Sequence, residues 1–539
     1  MRSTTTFVKI IVFITFFNAS AQVTLTSSNL PIVKITSETT INDSSKVFGT
    51  MQIIHKGNGL TNYINDTPNE YSGYIGVEFN PLTNNWVDGK PSYSIELRSA
   101  INEDISAPIL GMGSEEDWEL HGPYSDKTLI RNYLAFYLWQ KTRYYGSGIQ
   151  LCEVVVNEDY KGVYIFMEKI KRDASRIDIA KLNIDENTGD DLTGGYIFKI
   201  DKVKSDPDVK SWLSQYPPND RIDASQVINF QIVYPKEEEI TATQFQYISD
   251  YVKTFETVLK GANFTNSVGG YGNYANKYSF INYSLLVELT KNVDGYRRDA
   301  HLYKDKDSNG GKLIMGPPLN FQFTLGNNND CEATLYSGWV WDQNSLCSDK
   351  TSLNPFWWER FLEDQSYLYA LKKRWQSLRS DEFSTESILN VIDSLATVLN
   401  GPYQRNFARW PVMGNAVWPN TYVGTTYEEE ISYLKTWITY RMEWMDQEFD
   451  ATEIVLSNST SQQKVTVYPN PVENILNIFT TQELNNYLLL DYSGKIISKG
   501  NFQSIPLPII DISNIKSGYY VLSLFTKEGD VITTPVIKK

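Results

Sequence analysis

Apolar and polar positions along the chain fall into three differently patterned stretches. From residue 23 to about 120 the pattern alternates, as in Tyr74–Phe79 and Ser92–Leu97, which predicts half-buried strands. After Tyr124-Ser125-Asp126-Lys127 the apolar residues Leu129, Ile130, Tyr133, Leu134, Tyr137 and Leu138 share one helical face, and Ser125 or Asp126 can cap that helix. Two strands, Gln150–Asn157 and Gly162–Glu168, follow across a polar turn. From about 240 the period becomes helical, with Ser279–Leu289 and Glu428–Phe449 the clearest cases. A polar linker over 451–464 leads into short strands at 465–468, 475–479, 487–491, 495–498 and 519–525, the spacing of a small β-sandwich. Pattern alone therefore predicts an α+β protein with a C-terminal β unit.

The ends and the composition narrow this picture. Arg2 and Lys9, the apolar run Ile10–Phe17 and the small residues Ala19-Ser20-Ala21 form a secretory signal peptide over residues 1–21. No later segment reaches membrane-spanning length, so a soluble exported protein is expected. A net charge of −15 without any Lys/Arg block argues against a nucleic-acid partner. Of three cysteines, Cys152 lies in an apolar strand, whereas Cys331 and Cys347 flank a loop and are the better disulfide pair. Asp305–Gly310 imitates the start of an EF-hand loop, but its twelfth position is Gly316, so a hairpin turn is predicted there.

Chemistry is concentrated between Lys291 and Asn327. Asp294 follows a helix and opens a loop, which suits a general base for phosphoryl transfer, and Asp299 lies five residues on, an offset at which protein kinases hold metal. Two loop aspartates are more often simply solvated. Five blocks in order carry a wider resemblance: Lys90–Glu96, Pro123–Asn132, Gly162–Ile170, Asn292–Tyr296 and Gly316-Pro317. Pro355–Trp358, Asn406-Phe407 with Trp410-Pro411, and Tyr427–Glu430 extend it. Over roughly 30–450 the chain resembles the CotH kinase family, spore-coat-type secreted kinases with an atypical two-lobed protein-kinase-like fold.

That resemblance implies ATP and Mg²⁺ as cofactors and transfer of the γ-phosphoryl group to Ser or Thr of a secreted or surface protein. It implies Asp294 as catalytic base, Lys90 as nucleotide contact, and Glu168 as a group orienting Lys90 or a metal. Arg131 would contact phosphate or serve in structural pairing, and an ion-pair network of Lys90, Glu168 and Arg131 between sheet and helix is the competing reading. Asp299, Asn320 and Gln322 fall at the metal end. Two departures stand out. The family's Asp after Gly-Pro is Asn320 here, with Gln322 at the second position, and amides bring no charge to a hard cation. The glycine-containing phosphate loop is replaced by Phe79-Asn80-Pro81-Leu82-Thr83, in which Pro81 lacks a donor. A non-catalytic, pseudokinase-like surface binding protein is therefore the alternative to an enzyme.

The tail carries its own resemblance. Val467–Val472, Leu476-Asn477-Ile478, Gly518–Leu522 and the terminal Lys538-Lys539 resemble the type A C-terminal sorting domain of the type IX secretion system, over 465–539. This implies passage through the periplasm and across the outer membrane, with the secretion machinery as a partner.

Overall fold

The computed structural model describes residues 23–80, 89–204, 209–218, 226–347, 351–452, 466–479, 484–491, 495–502, 508–527 and 531–539. The expected signal peptide, Pro81–Thr83 of the phosphate-loop departure and nearly all of the expected linker lie outside them. The chain divides into two units, Met1–Ile454 and Val455–Lys539.

The first unit begins with a closed seven-stranded barrel: β1 (Ile32–Thr36), β2 (Val47–Ile54), β3 (Tyr71–Phe79), β4 (Tyr93–Arg98), β5 (Asp117–His121), β6 (Ile149–Val156) and β7 (Asp159–Glu168). Its order is β6-β7-β5-β4-β3-β2-β1, and β1 closes the ring by pairing parallel with β6, Glu153 opposite Ile32. Alternation dictates the interior: Val33, Met51, Ile75, Ile95, Trp118, Cys152, Val154 and Phe166 point into one core. β6 and β7 are apolar on both faces because their outward residues Leu151, Val163, Ile165 and Met167 join a second core with the helices. That is why Val163–Met167 reads as a continuous apolar run rather than an alternating one.

Between β5 and β6 lies α1 (Arg131–Gln140). It starts later than the apolar spacing predicts, because Leu129 takes a left-handed φ of 63° and ends the preceding turn. Neither Ser125 nor Asp126 is its N-cap residue. Asp126 instead accepts the Arg131 amide from five residues upstream, at 2.8 Å, and so serves the helix start at a distance.

A five-stranded sheet follows, built from β8 (Tyr196–Ile200), β9 (Ser211–Leu213), β10 (Asn229–Tyr234), β11 (Ala300–Lys304) and β12 (Leu313–Met315), in the order β9-β10-β8-β11-β12. The helices that follow pack on this sheet, on one another and on the barrel: α2 (Ala242–Lys260), α3 (Lys277–Thr290), α4 (Trp357–Leu362), α5 (Gln365–Arg379), α6 (Thr385–Val398), α7 (Pro402–Arg409), which lies against β7, and α8 (Tyr427–Ala451). The helical period after 240 is borne out, but β11 and β12 interrupt it. The 305–310 stretch is the turn between those two strands, as expected for a hairpin rather than a Ca²⁺ loop. Cys331 and Cys347 are bonded, with Cα atoms 5.5 Å apart, and Cys152 is a buried thiol.

The second unit holds two sheets on one apolar core of Val472, Leu476, Leu489, Leu522 and Val536. One has strands Thr466–Tyr468, Ile475–Phe479 and Ile509–Asp511; the other Leu484–Asp491, Ile496–Asn501, Gly518–Thr526 and Val531–Lys538. Of these, 509–511 and 531–538 carry too little alternation or too many Thr and Pro residues to stand out in the sequence.

Candidate functional site

The loop after α3 is pinned before it reaches Asp294. Lys291 ends the helix with a left-handed φ of 48°, and its Nζ donates to the carbonyls of Glu332, Leu335 and Ser337. Asn292 then does two things. Its Oδ1 accepts from the Asp294 amide at 3.2 Å, and its Nδ2 donates to the Asn320 carbonyl at 2.9 Å. The Asp294 loop and the Asn320 segment are thus held together through one buried amide.

Asp294 is one-third exposed. Its Oδ1 lies 3.0 Å from Arg297 Nε and from Nη2, and Oδ2 is 3.8 Å from Arg298. Arg297 is almost fully buried and also donates to the Ser352 carbonyl. The carboxylate thus faces two guanidinium groups.

Arg131 forms a buried pair with Asp126, Nη1 to Oδ1 2.7 Å, both side chains 1% exposed. Its Nε donates to the Leu325 carbonyl, and the neighbouring Asn132 accepts from the Phe321 amide. Gln322 is buried, and its carbonyl accepts from Asn327, which also bonds the Ser125 carbonyl. Arg131 and the 320–327 segment therefore meet as one packed assembly.

Lys90 and Glu168 sit elsewhere and apart. Lys90 Nζ donates to the carbonyls of Pro123 (3.1 Å) and Val163 (2.7 Å) and to Asn406 Oδ1 (2.8 Å), with the Tyr164 ring 4.9 Å away. All three acceptors are neutral. Burial pushes its pKa well below the ordinary lysine value, with only partial opposition from Cys152 and Asp126. Gly162 makes this arrangement possible: its φ is 104°, and a Cβ there would lie 2.4 Å from Asn406 Oδ1. Glu168 lies six residues beyond Gly162 along β7, where it accepts from the Gly148 amide and the Tyr145 hydroxyl. It does not touch Lys90, so the pairing expected between them is absent, and so is a common network of Lys90, Glu168 and Arg131.

The lysine beside Asp299 is Lys199 on β8. Its Nζ is 2.7 Å from Asp299 Oδ1 and 2.7 Å from Asp201 Oδ2. Burial acts to lower its pKa, but the two carboxylates outweigh that and hold it above the ordinary value. Asp299 has a left-handed φ of 48°, and its carbonyl accepts from His301 Nδ1 at 2.9 Å, which places the imidazole proton on that nitrogen. Burial, with Lys199 nearby, keeps His301 down to about 3, so it is neutral. Sequence reasoning missed Lys199 and Asp201, and it named Asn406 only within a family block, without a role. The signal for the first two was present: Tyr196-Ile-Phe-Lys-Ile-Asp201 sets two charges at alternate positions of an otherwise apolar strand.

The model of the CotH kinase protein family matches residues 85–445. The chain belongs to the CotH kinase family. A secretion-system C-terminal sorting domain matches 466–539, which indicates export by the type IX route to the cell surface or beyond. A search of curated proteins found no match. Among the described residues no helix is long and apolar enough to cross a membrane.

A kinase-type site needs Mg²⁺, and the donors here do not fit one as they stand. Mg²⁺ relies on carboxylates and gives up water reluctantly. Asp299 is engaged by Lys199, Asp294 by Arg297 and Arg298, and positions 320 and 322 are neutral amides.

Proposed function

We propose that this CotH-family protein is exported and works at the cell surface as a binding protein, with little or no phosphoryl transfer. The barrel and the helical part are read as the two lobes of a kinase-type fold, and the tail as a β-sandwich that addresses the chain to the type IX machinery. The observation that carries the reading is the Lys199 ammonium on Asp299, with neutral amides, Asn320 and Gln322, at the other positions that the resemblance assigns to metal. Losing one charged ligand at such a centre costs several kcal/mol of transition-state stabilisation, on the order of two decades or more in rate. Lys90, enclosed by three neutral oxygens, adds to it, since its ammonium has no free donor aimed at a phosphate.

The competing reading is a Ser/Thr protein kinase using ATP and Mg²⁺, with Asp294 as base. It is favoured by the one-third exposure of Asp294 on a loop secured at both sides. Incorporation of γ-phosphate from ATP into the chain and into an added acceptor protein, with Mg²⁺ and with Mn²⁺, separates the two. The wild-type protein is expected to give no signal above background, and Asn320→Asp to raise it. Wild-type turnover overturns the binding-protein reading. An unresponsive Asn320→Asp variant overturns the account of the metal defect. Thermal shift with ATP, with and without the metals, reports whether a nucleotide binds at all.

A further inference from the structure

Strand geometry concentrates charge at one point of the five-stranded sheet. Lys199 lies on β8, and Asp201 directly follows the last residue of that strand. On β11, His301 pairs directly with Lys199, and Asp299 directly precedes the strand with a left-handed φ of 48°. Four polar groups at adjoining ends of two neighbouring strands thus meet around Lys199. Their contacts order them: the Lys199 ammonium sits between two carboxylate oxygens, each at 2.7 Å, and His301 holds the Asp299 backbone. The side chains of Lys199 and Asp201 are 8% exposed and that of Asp299 is 18% exposed.

Two carboxylate oxygens converge on one point, as they would on a small cation. The point is filled by a group of the chain itself. A divalent ion entering would have to displace a buried ammonium and leave it without a partner, next to a second positive charge. With Lys199 in place the trio carries a net charge of −1; without it the two carboxylates carry −2.

We propose that Lys199 is the resident cation of this site, standing where a divalent metal would bind Asp299 and Asp201 and excluding it. The proposal rests on the non-catalytic reading above but concerns metal binding alone.

The test is Mn²⁺ titration of the full exported chain, followed by calorimetry and by the electron spin resonance of free Mn²⁺. The wild-type protein is expected to show no Asp299-dependent binding up to roughly 1 mM Mn²⁺. Lys199→Met is expected to gain a saturable site about tenfold tighter or better. Adding Asp299→Asn to that variant removes it, and Lys199→Arg, which keeps a cation in place, leaves the site closed. A folded Lys199→Met protein that gains nothing overturns the proposal. So does a wild-type protein whose Mn²⁺ binding disappears in Asp299→Asn, a comparison that decides the matter even if Lys199→Met does not fold. Wild-type phosphoryl transfer would overturn the preceding section. Mn²⁺ held through Asp299 without any transfer would overturn only this one.

Discussion

Lys90 and Lys199 are both buried lysines of one unit, and their surroundings are opposite. Lys90 faces two carbonyls and an amide oxygen, Lys199 two carboxylates. Burial lowers the pKa of the first well below the usual value, while the carboxylates raise that of the second. The difference teaches where charge is available for chemistry. Lys90 ties β7, the Pro123 turn and α7 together, so its position in a family block is explained by architecture. Lys199 is the cation that faces Asp299, and no family block marked it in the sequence.

Arg131 is the limiting case of a closed pair, and it should give the largest effect. Asp126 accepts from the Arg131 guanidinium, from the Arg131 amide and from Thr128. Asp126→Ala leaves a guanidinium 1% exposed without its counter-charge. A loss of about 3–5 kcal/mol is expected in urea unfolding. A loss under about 1 kcal/mol would show that water reaches Arg131, and that the buried pair is not a structural clamp.

Next comes Lys199→Met, measured in EDTA so that no metal fills the gap. It strands Asp201 and Asp299 and is expected to cost about 2–3 kcal/mol, less than Asp126→Ala because Asp299 is partly exposed. Lys90→Met should cost about 1–2 kcal/mol, since it leaves neutral acceptors rather than ions unpaired. Their alkaline behaviour separates them further. A lysine whose folded pKa is raised binds more protons folded than unfolded, so its stabilisation is complete below the unfolded value of 10.5 and is lost as pH rises through the folded pKa. A lysine whose folded pKa is lowered binds fewer protons folded, so stability recovers as pH rises from that lowered pKa towards 10.5. The difference between wild type and Lys199→Met should therefore shrink above pH 10.5, and that between wild type and Lys90→Met should grow as pH rises towards 10.5. Equal slopes would erase the distinction between the two lysines.

How much of this was legible beforehand follows from the range of the interactions. β6, β7, α3 and α8 were legible because their apolar periods are long and each packs one continuous face. The α1 start was misplaced because Leu129 and Ile130 continue the apolar pattern through a turn that a backbone φ, not a side-chain type, terminates. Asp294 could be named from its place after a helix and Asn320 from the family resemblance, and Asn292 bridges their two segments. Asn406 holding Lys90 could not, since it joins residues 316 apart through a glycine that only the fold brings beneath it. The Lys199–Asp299 pair spans 100 residues and depends on register between β8 and β11, which a single sequence does not carry.

The smallest effect tests the reach of the Asp299 charge. Burial pushes the Glu119 carboxyl on β5 up to about 6, Lys169 opposes this, and Asp117 and then Asp299 add to it. A raised carboxyl binds more protons folded than unfolded, so Glu119 favours stability below its ordinary 4.5 and withdraws that contribution as pH rises through about 6. Asp299→Asn removes one like charge but leaves the burial, so the Glu119 titration seen by carboxyl-carbon NMR should move down only slightly and stay above 4.5. In Lys199→Met the same titration should move up instead, because the unpaired Asp299 and Asp201 then act on it without a screening ammonium. If both variants leave Glu119 where it is, the charges of the β8–β11 face end at Lys199, and the barrel does not sense them.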